Sequence, residues 1–267
     1  MKNPYASDAL KGMRAVVCGA SKGIGRATAE MMVACGADVI ALSRSAPEIP
    51  GARSISLDLE DAAAIDKTIS GILVAGPIHI LINNAAGPPG GPLLDNDVED
   101  FEAPFKRHLH AAHQITRMVV PAMEDAGTGR IVNIISTSVR EPIPNIGLSN
   151  TLRGAMASWA KSLSRELPAC ITINNILPGF TETDRLGSLA ASIEEITGRS
   201  QEEIHNTTGN HVKGTGHDKL VRFDLVLEQI DIFQLFDLIT NVRNNSFTIT
   251  CSAIANHFQT LKLKTFL

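Results

Sequence analysis

Short apolar runs alternate along this chain with stretches whose apolar residues recur at helical spacing. Arg14–Cys18 (RAVVC) reads as a buried strand, and Gly23–Gly36 as a helix with Ile24, Ala27, Met31 and Cys35 on one side. Asp38–Leu42 and Arg53–Leu57 read as the second and third strands, Ala62–Val74 as a helix and Ile78–Ile82 as the fourth strand. Asp97–Ala126 is a long helical stretch, expected to bend at Pro104 and to end near Pro121. Arg130–Ile135 is the fifth strand, Asn150–Leu167 a helix and Ile171–Leu177 the sixth strand. Continuously apolar strands separated by helices predict an α/β fold. The sheet is doubly wound, parallel and covered on both faces, Rossmann-like, in a single domain.

The ends of the chain break this rhythm. Residues 1–12 read as a polar leader, 13–204 as the core domain and 205–267 as a diverged C-terminal segment. Within that segment HNTTGNHVKGTGHDK reads as a loop, Leu220–Val242 as an apolar and acidic helical stretch, and Asn245–Ala255 as a candidate seventh strand.

Composition narrows the class. The chain has 267 residues, enough for one sizeable core, and 24 basic against 28 acidic residues leave a net charge of −4. No basic field is present, which argues against nucleic acid as a partner. No apolar run reaches the length of a membrane span, and the N-terminus has no signal-like apolar stretch, so the reading is a cytoplasmic protein. The four cysteines (Cys18, Cys35, Cys170, Cys251) lie far apart, which fits a reducing compartment rather than a disulfide framework or zinc site.

The first strand runs into Gly19-Ala20-Ser21-Lys22-Gly23-Ile24-Gly25, and a helix follows. Such a turn lets backbone N–H groups and a helix N-terminus face a pyrophosphate, so Gly19, Ser21, Lys22, Gly23, Ile24 and Gly25 are cofactor-binding candidates. An acid at the end of the second strand would bind a free ribose 2′-hydroxyl. Here that end reads Leu42-Ser43-Arg44-Ser45, and Asp38 stands at the wrong end of the strand. Lys22 and Arg44 together suit a 2′-phosphate, which favours NADP(H) over NAD(H). The alternative is two solvated basic side chains.

Further segments arrive in a fixed order. Asp58-Leu59 follows the third strand, Asn83-Asn84-Ala85-Ala86-Gly87 the fourth, and Pro178-Gly179-Phe180-Thr181-Glu182-Thr183 the sixth, while Ser136 closes the fifth. With the glycine turn these segments resemble the short-chain dehydrogenase/reductase family, most closely its 3-oxoacyl-acyl-carrier-protein-reductase-like members, over about residues 12–200. The resemblance implies that Asp58 and Leu59 lie at the adenine. It also implies that Asn83, Ala85 and Gly87 line the cofactor, with Pro178, Gly179, Thr181 and Thr183 at its carboxamide and phosphates.

The same resemblance exposes a departure. The family reduces carbonyls with a Ser, a Tyr and a Lys, plus an Asn on a preceding helix. The Tyr gives the proton, and a neighbouring Lys lowers its pKa from about 10. Ser136 occupies the Ser position, but the Tyr and Lys positions hold Ser149 and Arg153, and His108 stands near the Asn position. The single tyrosine, Tyr5, precedes the first strand and cannot substitute. A Ser hydroxyl is a poor acid near neutral pH, and an Arg cannot relay a proton. The candidate catalytic set is therefore Ser136, Ser149 and Arg153, with the proton coming from water or from His108. His108 also reads as an ordinary hydrogen-bonded or surface helix histidine. With His110 and His113 it lacks metal-ligand spacing, so no metal is expected.

Two functions remain open from sequence. One is an NADP(H)-dependent oxidoreductase acting on a small-molecule carbonyl or alcohol, including a 3-oxoacyl thioester. The other is a cofactor-binding sensor or partner subunit without turnover. The resemblance implies a homodimer or homotetramer through the helices at 97–124 and 150–167. Leu152, Met156, Trp159 and Leu163 form an apolar stripe that serves either that face or the sheet.

Overall fold

The computed structural model describes residues 6–179, residues 194 and 198, and 248–250. Seven parallel strands form one sheet in the order β3-β2-β1-β4-β5-β6-β7. They are β1 (Arg14–Cys18), β2 (Asp38–Ser43), β3 (Arg53–Ser56), β4 (Ile80–Asn83), β5 (Gly129–Ile134), β6 (Ile171–Leu177) and β7 (Thr248–Thr250). The helices are α1 (Gly23–Ala34), α2 (Ala62–Val74), the single turn α3 (Glu102–Phe105), α4 (Ala111–Asp125) and α5 (Gly147–Leu163).

The central strands β1, β2 and β4 are largely apolar because both of their faces are covered. Successive residues of β1 alternate between two cores: Ala15 and Val17 pack with Ala29, Met32 and Cys35 of α1, whereas Val16 and Cys18 pack with Ile65, Ile69 and Ile72 of α2 and Ile115 and Val119 of α4. Residues 6–12, read from sequence as a polar leader, contribute Leu10 to the α1 side, with the Leu10 N–H on the Cys35 carbonyl at 2.8 Å. The candidate seventh strand at Asn245–Ala255 contains β7, which pairs in parallel with β6. Among the described residues no helix is long and apolar enough to cross a membrane.

Two helix boundaries differ from the sequence pattern. Pro121 does not end its helix: α4 continues to Asp125, and Pro121 sits on its exposed side, where water can solvate the carbonyl that lacks an N–H partner. Pro104 falls in the first turn of α3, where a missing N–H is harmless. The departure from regular helix is instead a π-helical turn at Lys106–His110. Helix α5 starts at Gly147 rather than Asn150, which places both Ser149 and Arg153 on it, four residues apart. The stripe on α5 goes largely to the sheet: Leu152 and Met156 are buried, and Trp159 and Leu163 are half-buried against the core.

Ile115 is 1% exposed between α4 and the sheet, whereas Val74 at the end of α2 is 89% exposed. Ile115→Ala is expected to lower the unfolding free energy by about 3 kcal/mol in a urea melt, and Val74→Ala to change it by less than about 0.5 kcal/mol.

Candidate active site and cofactor cleft

The strand order reverses between β1 and β4, because successive connections leave β1 in one direction and return to β4 in the other. Chain ends diverge there and leave a crevice at the carboxyl edge of the sheet. A small cleft occupies this position, lined among others by Cys18, Asn83, Asn84, Ala85, Arg107, His108, Ile134 and Met156. The Cys18 thiol is pushed up to about 12 by burial, so it stays protonated and contributes shape rather than a nucleophile.

The glycine turn follows Cys18 directly and packs on Asn84, both of which line the cleft. Gly19 and Gly23 have φ of +62° and +57°, the left-handed region that side chains disfavour. At Gly19 a Cβ would stand 2.6 Å from the Asn84 carbonyl oxygen, and at Gly25 it would stand 2.6 Å from the Asn84 Nδ2. The glycines therefore admit a neighbouring loop as well as any ligand. Asn84 fixes that packing by donating from Nδ2 to the Cys18 and Gly19 carbonyls at 3.3 and 3.2 Å. Its role was hidden in sequence, where an Asn pair after a strand reads as a turn.

Behind the turn, α1 begins without a side-chain cap. Lys22 is the N-cap residue, extended and exposed, and the first turn carries no acid. By contrast α2 is capped by Asp61, which accepts from the Ala64 N–H at 2.9 Å. Unsatisfied N–H groups, the positive end of the helix and Lys22 together suit an anion at the turn. Arg44 lies just past β2, exposed, and its backbone is held by a 2.8 Å bond from the Ser56 hydroxyl to its carbonyl. The Ala20 N–H bonds the Leu42 carbonyl at 3.1 Å, so Lys22 and Arg44 leave from adjacent strand ends at one edge. Asp38 lies at the opposite end of β2, paired with Arg14 at 3.2 Å. Asp58 is exposed beyond β3 and accepts from the Glu60 N–H at 3.0 Å, with Leu59 half-buried at the cleft.

The far wall is polar and buried. Asn83, Asn133 and Asn175 face one another across β4, β5 and β6, and each amide donates to the next at 2.8 and 2.9 Å. Two side chains converge on the Ala86 carbonyl, His108 Nε2 at 2.9 Å and Arg107 Nη1 at 3.4 Å, and Arg107 is also ion-paired with Glu60. Neither Arg107 nor Glu60 carried a sequence signal, since a lone charged pair across loops has no spacing to read.

Of the candidate catalytic residues, Ser136 lies just past β5, and Ser149 and Arg153 lie on α5. Ser136 accepts the Ser138 N–H at 3.1 Å, which leaves its own O–H to donate elsewhere. Ser149 and Arg153 are both buried on the side of α5 that faces inward. Arg153 donates from Nη1 to the Ile134 carbonyl at 2.9 Å and lies 3.5 Å from His108 Nδ1. His108 is not a surface histidine. It is 5% exposed, and its Nε2 is directed at the Ala86 carbonyl. His110 is exposed, and His113 accepts from the Trp159 indole N–H at 3.3 Å. Among the described residues no group of three His, Cys, Asp or Glu is placed to hold a metal. Pro178 accepts the Thr137 N–H at 3.0 Å beside Gly179, while Thr181 and Thr183 lie outside the described residues.

The family model for short chain dehydrogenases matches residues 13–194. The chain belongs to this family. It is 32% identical over 202 residues to carbonyl reductase [NADPH] 2 of Sus scrofa, covering 72% of this chain and 81% of that protein. It is 33% identical over 196 residues to the 3-oxoacyl-[acyl-carrier-protein] reductase of Salmonella typhimurium, covering 68% of this chain and 78% of that protein. A metagenomic short-chain oxidoreductase solved in complex with NADP is 30% identical and superposes with a TM-score of 0.58, over 64% of this chain and 84% of that one. Family membership accounts for the doubly wound sheet and for the glycine turn at its switch point.

Gly19→Ala tests the clamp between the turn and Asn84. The variant combines an unfavourable φ with a 2.6 Å approach to backbone. It is expected to lose about 2 kcal/mol or more of unfolding free energy, read by denaturant titration.

Proposed function

We propose that this short-chain dehydrogenase family member is an NADP(H)-dependent oxidoreductase that reduces a carbonyl or oxidises an alcohol. The observation that carries the reading is the strand-order reversal between β1 and β4, where a glycine turn leads from β1 into an uncapped helix N-terminus with a lysine at its N-cap. Gly19, Ser21, Gly23, Ile24 and Gly25 would hold the pyrophosphate against the α1 N-terminus, and Lys22 and Arg44 the 2′-phosphate. Asp58 and Leu59 would border the adenine. Asn83, Ala85 and Gly87 would line the middle of the cofactor, and Pro178, Gly179, Thr181 and Thr183 its nicotinamide end. When bound, the cofactor supplies or takes up hydride.

The chain's own groups define the rest of the chemistry. Ser136 donates its O–H to a substrate oxygen, and Ser149 offers a second hydroxyl. Arg153 supplies a permanent positive charge that stabilises negative charge developing on that oxygen. No side chain in this set is an acid suited to neutral pH, so the proton comes from solvent. The substrate class that fits is a small carbonyl compound, with a 3-oxoacyl thioester as one member, by analogy with the curated relatives. Free Cys18, Cys35 and Cys170 suit a reducing, cytoplasmic setting. Assembly as a homodimer or homotetramer belongs to the same reading, with the outward faces of α4 and α5 as the contact.

A second reading is a cofactor-binding sensor or partner subunit without turnover. It is favoured by Ser149 and Arg153 standing where the family carries its Tyr and Lys, with Arg153 bonded to the Ile134 carbonyl. Cofactor binding and turnover separate the two.

Calorimetric titration is expected to give micromolar NADPH binding and weaker NADH binding. Lys22→Ala with Arg44→Ala should weaken NADPH about tenfold or more and leave NADH nearly unchanged. Absence of binding to either nucleotide overturns the proposal. The double variant Ser149→Tyr, Arg153→Lys is expected to raise NADPH-dependent reduction across a carbonyl panel by about 100-fold if a missing proton donor limits the rate. No gain would count against placing Ser149 and Arg153 at those positions.

A further inference from the structure

Four groups form a continuous buried line under the cleft: the Ala86 carbonyl, the His108 ring, the Arg153 guanidinium and the Ile134 carbonyl. Their separations are 2.9 Å from Ala86 O to His108 Nε2, 3.5 Å from His108 Nδ1 to Arg153 Nη1, and 2.9 Å from Arg153 Nη1 to Ile134 O. His108 is 5% exposed and Arg153 9%. A guanidinium only donates and a carbonyl only accepts. The directions along the line are therefore fixed. Ala86 must receive Nε2–H, and Nδ1 must be a bare acceptor facing Arg153. A doubly protonated ring would set N–H against N–H.

The backbone explains how His108 reaches this place. A π-helical turn spans Lys106–His110 and advances less per residue than an α-helix, so consecutive side chains point in more similar directions. Arg107 and His108 both reach the Ala86 carbonyl. Among the described residues, the charged and titratable groups around the ring include Arg107 beside it in the chain, Arg153 across from it on α5 and Cys18 on the same cleft wall at the end of β1.

We infer that His108 is a positioning residue for Arg153. It is held as the neutral Nε2–H tautomer between the Ala86 loop and the guanidinium. Through it the loop after β4, which borders the cofactor cleft, is coupled to the residue that replaces the family's lysine. This inference rests on the proposed cofactor cleft for its functional consequence, but the pairing itself can be read without any cofactor.

The first test is nitrogen NMR of histidine-labelled protein at neutral pH. His108 should show a protonated Nε2 and a bare Nδ1 whose resonance is displaced by the donor. Arg153→Met should move that Nδ1 resonance by several ppm towards the position of an unbonded nitrogen. A protonated Nδ1, or an Nδ1 resonance unmoved in Arg153→Met, overturns the pairing. The second test compares two amides. Asn at 108 mimics the Nδ1 side of the ring and keeps an acceptor for Arg153. Gln mimics the Nε2 side and keeps only the donor to Ala86. His108→Asn should retain NADPH affinity within about threefold, and His108→Gln should weaken it about tenfold. Equal loss in both, with the fold intact by circular dichroism, overturns the positioning role. If the unaltered protein fails to bind NADPH, the cleft assignment falls while the NMR result still decides the pairing.

Discussion

The reversal of strand order between β1 and β4 is the constraint from which the site follows. Two crossovers leaving in opposite directions cannot close over the carboxyl ends of these strands, so a crevice opens where β1 and β4 stop. That gap would be a packing defect if its walls were not tied together. Asn84 ties them by donating to the last carbonyl of β1 and the first of the glycine turn. The glycines answer with backbone conformations and with missing side chains, because a Cβ at Gly19 or Gly25 would meet Asn84. Turn, loop and crevice are one unit.

Polar groups in this region are buried, and burial makes their partners matter. An unsatisfied amide in a core costs on the order of 1–3 kcal/mol, so the ladder of Asn83, Asn133 and Asn175 stays in the sheet because each amide meets the next. Their shared register on β4, β5 and β6 makes this possible. Arg153 follows the same logic more severely. A buried guanidinium needs acceptors, and the carbonyl at the end of β5 and the His108 ring nitrogen are two of them. A permanent cation buried at Arg153 requires that the surrounding groups include acceptors.

Much of the fold was legible because both faces of the sheet are covered. Short apolar-rich runs marked six strands, and Ala62–Val74 and Ile171–Leu177 coincide with α2 and β6 to the residue. Helix ends were less legible. Pro121 looked like a stop, but a proline on an exposed helix face loses one bond that water replaces. The π-helical turn left no trace in the pattern, since one widened turn shifts a helical period by a single position.

The same division holds for the site. The chain order by itself determined the glycine turn after β1, the absence of an acid after β2, the serine just past β5, and the Ser149 and Arg153 pair four residues apart on one helix. These are local facts, fixed by spacing along one strand, turn or helix. The tertiary structure alone decided that Met156 packs with Ile135 and Leu177, that Asn84 clamps the glycines, and that His108 Nε2 meets the Ala86 carbonyl. Each of these joins residues dozens of positions apart. Which partner a polar side chain meets depends on how separate elements pack, and periodicity records only which side of an element is buried.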